Sequence, residues 1–115
     1  MSLKINKGEA GELSAINYIK EKGYTIAERN YHSRYGEIDI IAKKDSLYVF
    51  IEVKYRKNTS YGYPREFVDG RKQDKIRKTA LTFISENNLP DGDFRFDVLE
   101  ITGSFSNIEH IENAF

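Results

Sequence analysis

Two apolar runs separated by three polar residues constrain this chain more than any other feature. Glu37 to Lys43 and Leu47 to Tyr55 are rich in Ile, Val, Tyr and Phe, and only Lys44-Asp45-Ser46 lies between them. Such a connection is long enough for a hairpin turn, so the two runs form an antiparallel pair. Ile40 stands beside Ile41 and Phe50 beside Ile51. Successive strand residues point to opposite faces, so both faces of this hairpin are apolar. A hairpin of that kind belongs inside a sheet covered on each side.

The rest of the chain supplies the cover. Asn6 followed by Glu9 has the spacing of an N-cap and its N3 partner, opening a helix over roughly 7–22 that Gly23 ends. Tyr24 to Asn30 reads as a strand and Tyr31 to Tyr35 as a loop. Asn58 to Pro64 is a polar, aromatic loop, and Pro64 to Val68 a separate short turn of helix set off by Gly70. Ile76, Ala80, Phe83 and Ile84 form a helical stripe, which predicts a helix over Arg71 to Asn87. Leu89-Pro90-Asp91-Gly92 breaks the chain, Phe94 to Thr102 is a further strand, and Ile108 to Ile111 a weaker last one. The predicted order is α-β-β-β-α-β-β, an α/β fold with one mixed sheet flanked by helices. At 115 residues and 13.4 kDa, residues 1–115 are expected to form a single domain.

Charges interrupt the apolar hairpin at particular places. Alternation puts Tyr48, Phe50, Glu52 and Lys54 on one face, with Leu47, Val49, Ile51 and Val53 on the other. On the preceding strand Glu37, Asp39 and Ile41 share a face, opposite Ile38, Ile40 and Ala42. If Asp45-Ser46 is a two-residue loop, Lys44 pairs with Leu47 and Asp39 with Glu52. Directly opposed like charges are destabilising, and a bridging divalent cation would compensate them. The plainer reading is a wet hairpin with ordinary surface charges, which the flanking Ile40, Ile41, Phe50, Ile51 and Val53 argue against. In the first helix, Glu12 falls between Ile16 and Ile19 on a wheel of ~100° per residue, inside the apolar arc. It is either a site residue or a helix-edge carboxylate reaching water.

Composition narrows the chemistry further. With no cysteine, thiolate catalysis, disulfides and cysteine-based zinc sites are excluded. Two histidines, His32 and His110, are too few for an imidazole cage, so any metal would take oxygen ligands, as Mg²⁺ or Mn²⁺ do. Net charge is zero, yet residues 54–78 carry nine basic and three acidic side chains, while residues 79–115 carry one and seven. Arg56, Lys57, Lys72 and Lys75 are candidate phosphate contacts, with Arg71, Arg77 and Lys78 alongside. Solvated helix faces explain the same charges, Arg77 above all. Tyr61 and Tyr63 are loop tyrosines suited either to packing or to base stacking. Asp97 is expected to support the fold through Arg95 or a backbone donor, and His32 to be exposed or structural. No apolar run reaches the ~18 residues that cross a bilayer, and Met1-Ser2-Leu3-Lys4 is unlike a signal peptide. The expected location is therefore cytoplasmic, away from membranes.

At this point a resemblance emerges. Gly36-Glu37-Ile38-Asp39-Ile40-Ile41-Ala42 followed by Phe50-Ile51-Glu52-Val53-Lys54-Tyr55-Arg56 resembles the PD-(D/E)xK nuclease superfamily. More narrowly it resembles the small bacterial YraN-like proteins, which are similar to archaeal Holliday-junction resolvases. Gly11-Glu12 with Ala15, Gly23-Tyr24, Arg29-Asn30, Lys72, Ala80 and Arg95-Phe96-Asp97 extend the likeness over roughly residues 8–101. Ile38 stands where the superfamily name has proline, a variable position. The resemblance implies a restriction-endonuclease-like core in which Asp39, Glu52 and the Val53 carbonyl hold Mg²⁺. Lys54 would orient water or stabilise developing charge, and Glu12 would assist the metal. The implied activity is hydrolysis of phosphodiester bonds in DNA, including branched or structured DNA, with a homodimer suited to cutting two strands. Two other functions fit the same residues. One is a non-catalytic nucleic-acid-binding module. The other is an interaction domain of a larger complex, with the acidic stretch from Glu100 to Glu112 as its surface.

Overall fold

The computed structural model describes residues 7–56, 69–89, 91–103 and 107–115. Its elements follow the predicted order: α1 (Lys7–Glu21), β1 (Thr25–Ser33), β2 (Gly36–Lys44), β3 (Leu47–Arg56), α2 (Gly70–Glu86), β4 (Asp93–Thr102) and β5 (Asn107–Ile111). The strands form one mixed sheet in the order β1-β2-β3-β4-β5. Neighbours are antiparallel except β3 and β4, which run parallel because α2 carries the chain across between them. No described helix is long and apolar enough to cross a membrane. Asn6, Lys57, the loop from Asn58 to Pro64 and the turn from Pro64 to Val68 lie outside the described residues.

The sheet has a core on each face. On one side α1 packs Ala15, Ile16 and Ile19 against Ile40, Ala42, Val49, Ile51 and Val53. On the other, α2 packs Ile76, Ala80 and Phe83 against Ile38, Ile41, Phe50 and Val98. Phe50 is fully buried and holds this side together, with its ring centroid 5.3 Å from Phe96 and 6.0 Å from Phe83. Emptying such a position typically costs ~3–5 kcal/mol.

Helix ends obey local rules. Tyr24 N donates to Ile19 O at 3.3 Å and Gly23 N to Lys20 O at 3.0 Å, a Schellman closure that needs the left-handed φ of +94° at Gly23. At the start of α2, Asp69 Oδ1 accepts from Lys72 N at 2.9 Å. That N-cap contributes about 1 kcal/mol and fixes the turn that carries Lys72.

Two local expectations need correction. Tyr31 to Ser33 are not loop: β1 continues to Ser33, and Ser33 pairs with Gly36 across the two-residue turn Arg34-Tyr35. Polar and charged side chains there disguised an edge strand, whose outer face meets water. Secondly, Ile38 shares a core with Ile41 rather than with Ile40 and Ala42. The change of side falls between Ile38 and Ile40, where the β1–β2 ladder keeps its register from Arg29–Ile40 to Tyr31–Ile38 but has no rung at Asn30 and Asp39; its one register shift lies between Ile26 and Glu28. Asn30, at that missing rung, has a left-handed φ of +52°.

Candidate active site

The hairpin register is the one its short loop requires. Lys44 pairs with Leu47, Asp45 adopts a positive φ of 55° in the turn, and the β2–β3 rungs continue to Ile40–Ile51. Counting one step further brings Asp39 and Glu52 level. There the strands are linked by a side chain: Val53 N donates to Asp39 Oδ2 at 2.8 Å.

Five elements meet at this point. A cleft of about 330 Å³ is lined by Glu12 of α1, Asn30 of β1, Asp39 of β2, Glu52, Val53, Lys54 and Tyr55 of β3, and Lys72 of α2. Glu52 is only 6% exposed. Its Oε1 lies 2.6 Å from Lys72 Nζ and 3.6 Å from Lys54 Nζ. Glu12 accepts a hydrogen bond from Asn30 Nδ2 at 2.8 Å and lies 3.4 Å from an Arg29 guanidinium nitrogen. The predicted Asp39, Glu52, Val53, Lys54 and Glu12 therefore share one cleft.

Of the four predicted phosphate contacts, Lys72 enters this cleft and Lys75 lines the next cavity, which also contains Gly36, Glu37, Asp39, Glu52, Lys72 and Ile76. Arg56 closes β3, and Lys57 falls outside the described residues. Asn30 and Tyr55 line the cleft although their sequence positions gave them no role. For Asn30 the available signal was its residue type, since Asn is the side chain that best tolerates a left-handed kink.

The cleft's electrostatics are those of crowded carboxylates beside two lysines. Burial, together with the negative charge of Glu52, pushes Asp39 up to about 6 against the downward pull of the Val53 N–H. Burial and the neighbouring Lys72 ammonium lower Lys54. Burial opposes the charge on Lys72 as well, but hydrogen bonding to Glu52 and the nearby carboxylates more than offset it and raise Lys72. Lys72 thus remains a firm cation, whereas Lys54 holds its proton less tightly.

Oxygen donors in a buried, mutually repelling pair suit a hard divalent cation, which would relieve the repulsion that raises Asp39. Among the described residues, no three His, Cys, Asp or Glu side chains converge as a ready-made metal cage. A cation held by Asp39 and Glu52 would keep water or substrate oxygens in its shell, which is the habit of Mg²⁺.

A glycine shapes the other wall. A Cβ on Gly11 would overlap the far end of the Tyr55 ring, which is 49% exposed. Gly11→Ala is expected to displace Tyr55 while leaving unfolding free energy unchanged or higher by up to ~1 kcal/mol, since alanine favours helix. Tyrosine fluorescence and urea unfolding would read the two effects. A loss of stability would show that the ring cannot move.

Across residues 11–101, the chain matches the model of the family described as Uncharacterised protein family UPF0102. The chain belongs to UPF0102. A UPF0102 protein of Sulfurihydrogenibium sp. (strain YO3AOP1) is 49% identical over 112 residues, covering 97% of this chain and 96% of its own length. Another from Clostridioides difficile (strain 630) is 47% identical over 109 residues, covering 95% and 96%. One from Persephonella marina is 44% identical over 109 residues, covering 95% and 92%. Every residue lining the cleft falls within the segment that matches the UPF0102 model.

A second polar cluster lies away from the cleft. Fully buried Asp97 accepts from Arg95 Nε and NH2 at 2.8 Å each and from Asn113 N at 2.9 Å, and lies 2.6 Å from His110 Nε2. Arg95 also donates to Tyr24 Oη at 2.8 Å. Asp97 pairs with Arg95 of its own strand, as expected, and ties β4 to β5 and the segment after it through His110 and Asn113 N. His110 is buried in this cluster, while His32 is exposed at the end of β1 with Glu37 3.6 Å away. The acidic stretch is not one continuous surface: Glu100 is buried, whereas Glu109 and Glu112 are exposed. Glu100 and Glu109 are cross-strand partners, so burial separates two residues that alternation places on one face.

Proposed function

We propose that this UPF0102 chain is a Mg²⁺- or Mn²⁺-dependent nuclease of the PD-(D/E)xK type that hydrolyses phosphodiester bonds in DNA. One observation carries the reading: Asp39 and Glu52 share a cleft with Lys54 and Lys72, where burial and the charge of Glu52 raise Asp39. Asp39, Glu52 and the Val53 carbonyl would hold the cation. When bound, the cation supplies Lewis-acid stabilisation of phosphate oxygens and lowers the pKa of a coordinated water. Lys72, raised and therefore charged near neutrality, binds the substrate phosphate. Lys54 donates to the oxygen on which negative charge grows. Glu12, held by Asn30 and Arg29, orients water at the far wall. Branched or structured DNA is the substrate class suggested by the resolvase likeness, and a homodimer would place two such clefts on two strands.

The Lys72–Glu52 contact at 2.6 Å also favours a second reading, in which the lysine permanently neutralises Glu52 and the domain binds nucleic acid without cutting it. Calorimetric titration with Mg²⁺ and Mn²⁺, with and without DNA, separates the two. The nuclease reading predicts saturable binding that disappears in Asp39→Asn/Glu52→Gln. Salt-dependent DNA binding with no cation uptake by the wild type would leave the binding module standing.

A further inference from the structure

We propose that the β1–β2 hairpin tip and the outer face of α2 form a nucleobase subsite, taking an unpaired base of the strand whose phosphate lies at Asp39 and Glu52. The inference rests on the nuclease reading for its ligand class and extends it to substrate shape. Beyond the two cavities that share Asp39, Glu52 and Lys72 lies a third of about 380 Å³, lined by Tyr35, Lys78, Leu81, Thr82, Ser85 and Glu86. Gly36 and Lys75 of the second cavity connect to it, one as Tyr35's chain neighbour and the other one helical turn before Lys78. The three follow one another along α2.

The chemistry of the third cavity differs from that of the cleft. Leu81 is 63% exposed and Tyr35 36%, two of the four large exposed apolar side chains among the described residues. Single exposed apolar residues are ordinary, but here two border one concavity flanked by cations. The Arg34 guanidinium lies 4.8 Å from the Tyr35 ring centroid and Lys78 Nζ lies 5.7 Å from it. A ring and an apolar floor suit the face of a base, and the cations suit the phosphates on either side. Thr82 and Ser85 offer hydroxyls, and Glu86 an acceptor for an exocyclic amine.

The tip is held in place before any ligand arrives. Ser33 Oγ lies 2.8 Å from the hydroxyl of buried Thr79 on α2 and accepts from Tyr35 N at 3.0 Å. Tyr31 Oη donates to Glu86 at 2.7 Å, about two helical turns further on. A pre-positioned ring loses little freedom on stacking. From Lys72 to Leu81 the helix rises about 13.5 Å, the length of about four stacked nucleotides at ~3.4 Å each, and fewer when the strand is extended. A paired base cannot present its face to Tyr35, so the occupant is a base outside the duplex.

Fluorescence anisotropy in the Asp39→Asn background, which holds substrate uncut, tests this with the full chain. A duplex bearing a short single-stranded overhang is compared with the matching blunt duplex. Tyr35→Ala is expected to weaken the overhang substrate by about 10- to 100-fold and the blunt duplex by less than about 2-fold, with Tyr35→Phe near wild type. A fluorescent adenine analogue moved along the overhang is expected to be quenched at one position within about four nucleotides of the scissile phosphate, and only when Tyr35 is present. Equal losses on both substrates, or a Tyr35→Phe variant as weak as Tyr35→Ala in a folded protein, would overturn the subsite. Tyr35-dependent overhang binding without any metal-dependent cutting by the wild type would uphold the subsite and sink the hydrolytic reading. Cutting with no Tyr35 dependence would do the reverse. A chain that binds no DNA would end both.

Discussion

Asp39→Asn is expected to make the protein more stable and less active at the same time. Burial and the charge of Glu52 raise Asp39 to about 6 in the folded chain, against 3.8 for a free carboxyl. The folded state therefore binds its proton more tightly than the unfolded state. The resulting stability is present at low pH and is lost as pH rises from about 4 to about 6. Above that window an ionised Asp39 costs at most about 3 kcal/mol at 1.36 kcal/mol per pH unit. Asparagine keeps an acceptor for Val53 N and adds a donor toward Glu52 without the charge. Urea unfolding should thus show a gain of about 2–3 kcal/mol near pH 8 that shrinks toward zero near pH 4. On the nuclease reading, cleavage falls by at least the ~100-fold typical of removing one group that stabilises the transition state. A variant no more stable than wild type at high pH would mean that Asp39 and Glu52 do not strain one another.

Asp97→Ala should act in the opposite direction and with greater force. Its carboxylate satisfies Arg95, His110 and the Asn113 N–H in a fully buried position. Burial alone would raise Asp97, but the bonds from His110, Arg95 and Asn113 outweigh it and hold the group below the usual carboxylate range. That contribution is complete above the ordinary carboxylate pKa and disappears as pH falls through the depressed one. Removing the carboxylate leaves a guanidinium, an imidazole and a backbone N–H without their acceptor. Breaking a buried ion pair from one side costs about 3–5 kcal/mol, a large fraction of the ~5–15 kcal/mol that holds a domain together. Exposed Glu109→Ala, on the next strand, should stay within about 0.5 kcal/mol. Urea midpoints at neutral pH compare the two. Equal, small shifts would show that the cluster is not a structural tie.

Why the hairpin and the site could be read ahead of the structure, and other parts could not, follows from which forces are local. The Asp45-Ser46 turn fixed the register, because a connection that short allows few pairings. Alternation then located Glu52 and Lys54 together, and helical period put Glu12 on the buried side of α1. The change of side between Ile38 and Ile40 was hidden because it falls at a missing rung of the β1–β2 ladder, beside the left-handed Asn30, which the alternation of β2 alone does not contain. Tyr31 to Ser33 read as loop because an edge strand buries one face only. Lys72 reached Glu52 through the docking of α2, a tertiary fact that spacing does not contain. That Glu100 is buried while its cross-strand partner Glu109 is exposed is likewise a tertiary fact that a charge count does not contain.

Cleavage of DNA, measured with the wild type and the Asp39→Asn/Glu52→Gln variant side by side, tests the central claim most directly. The panel contains duplex, single-stranded and four-way-junction DNA, each with Mg²⁺, Mn²⁺ or chelator. The account predicts cutting of at least one substrate by the wild type, dependent on the cation and absent from the variant. Cutting that survives in the variant, or a wild type that binds these DNAs and cations yet leaves every strand intact, would contradict it.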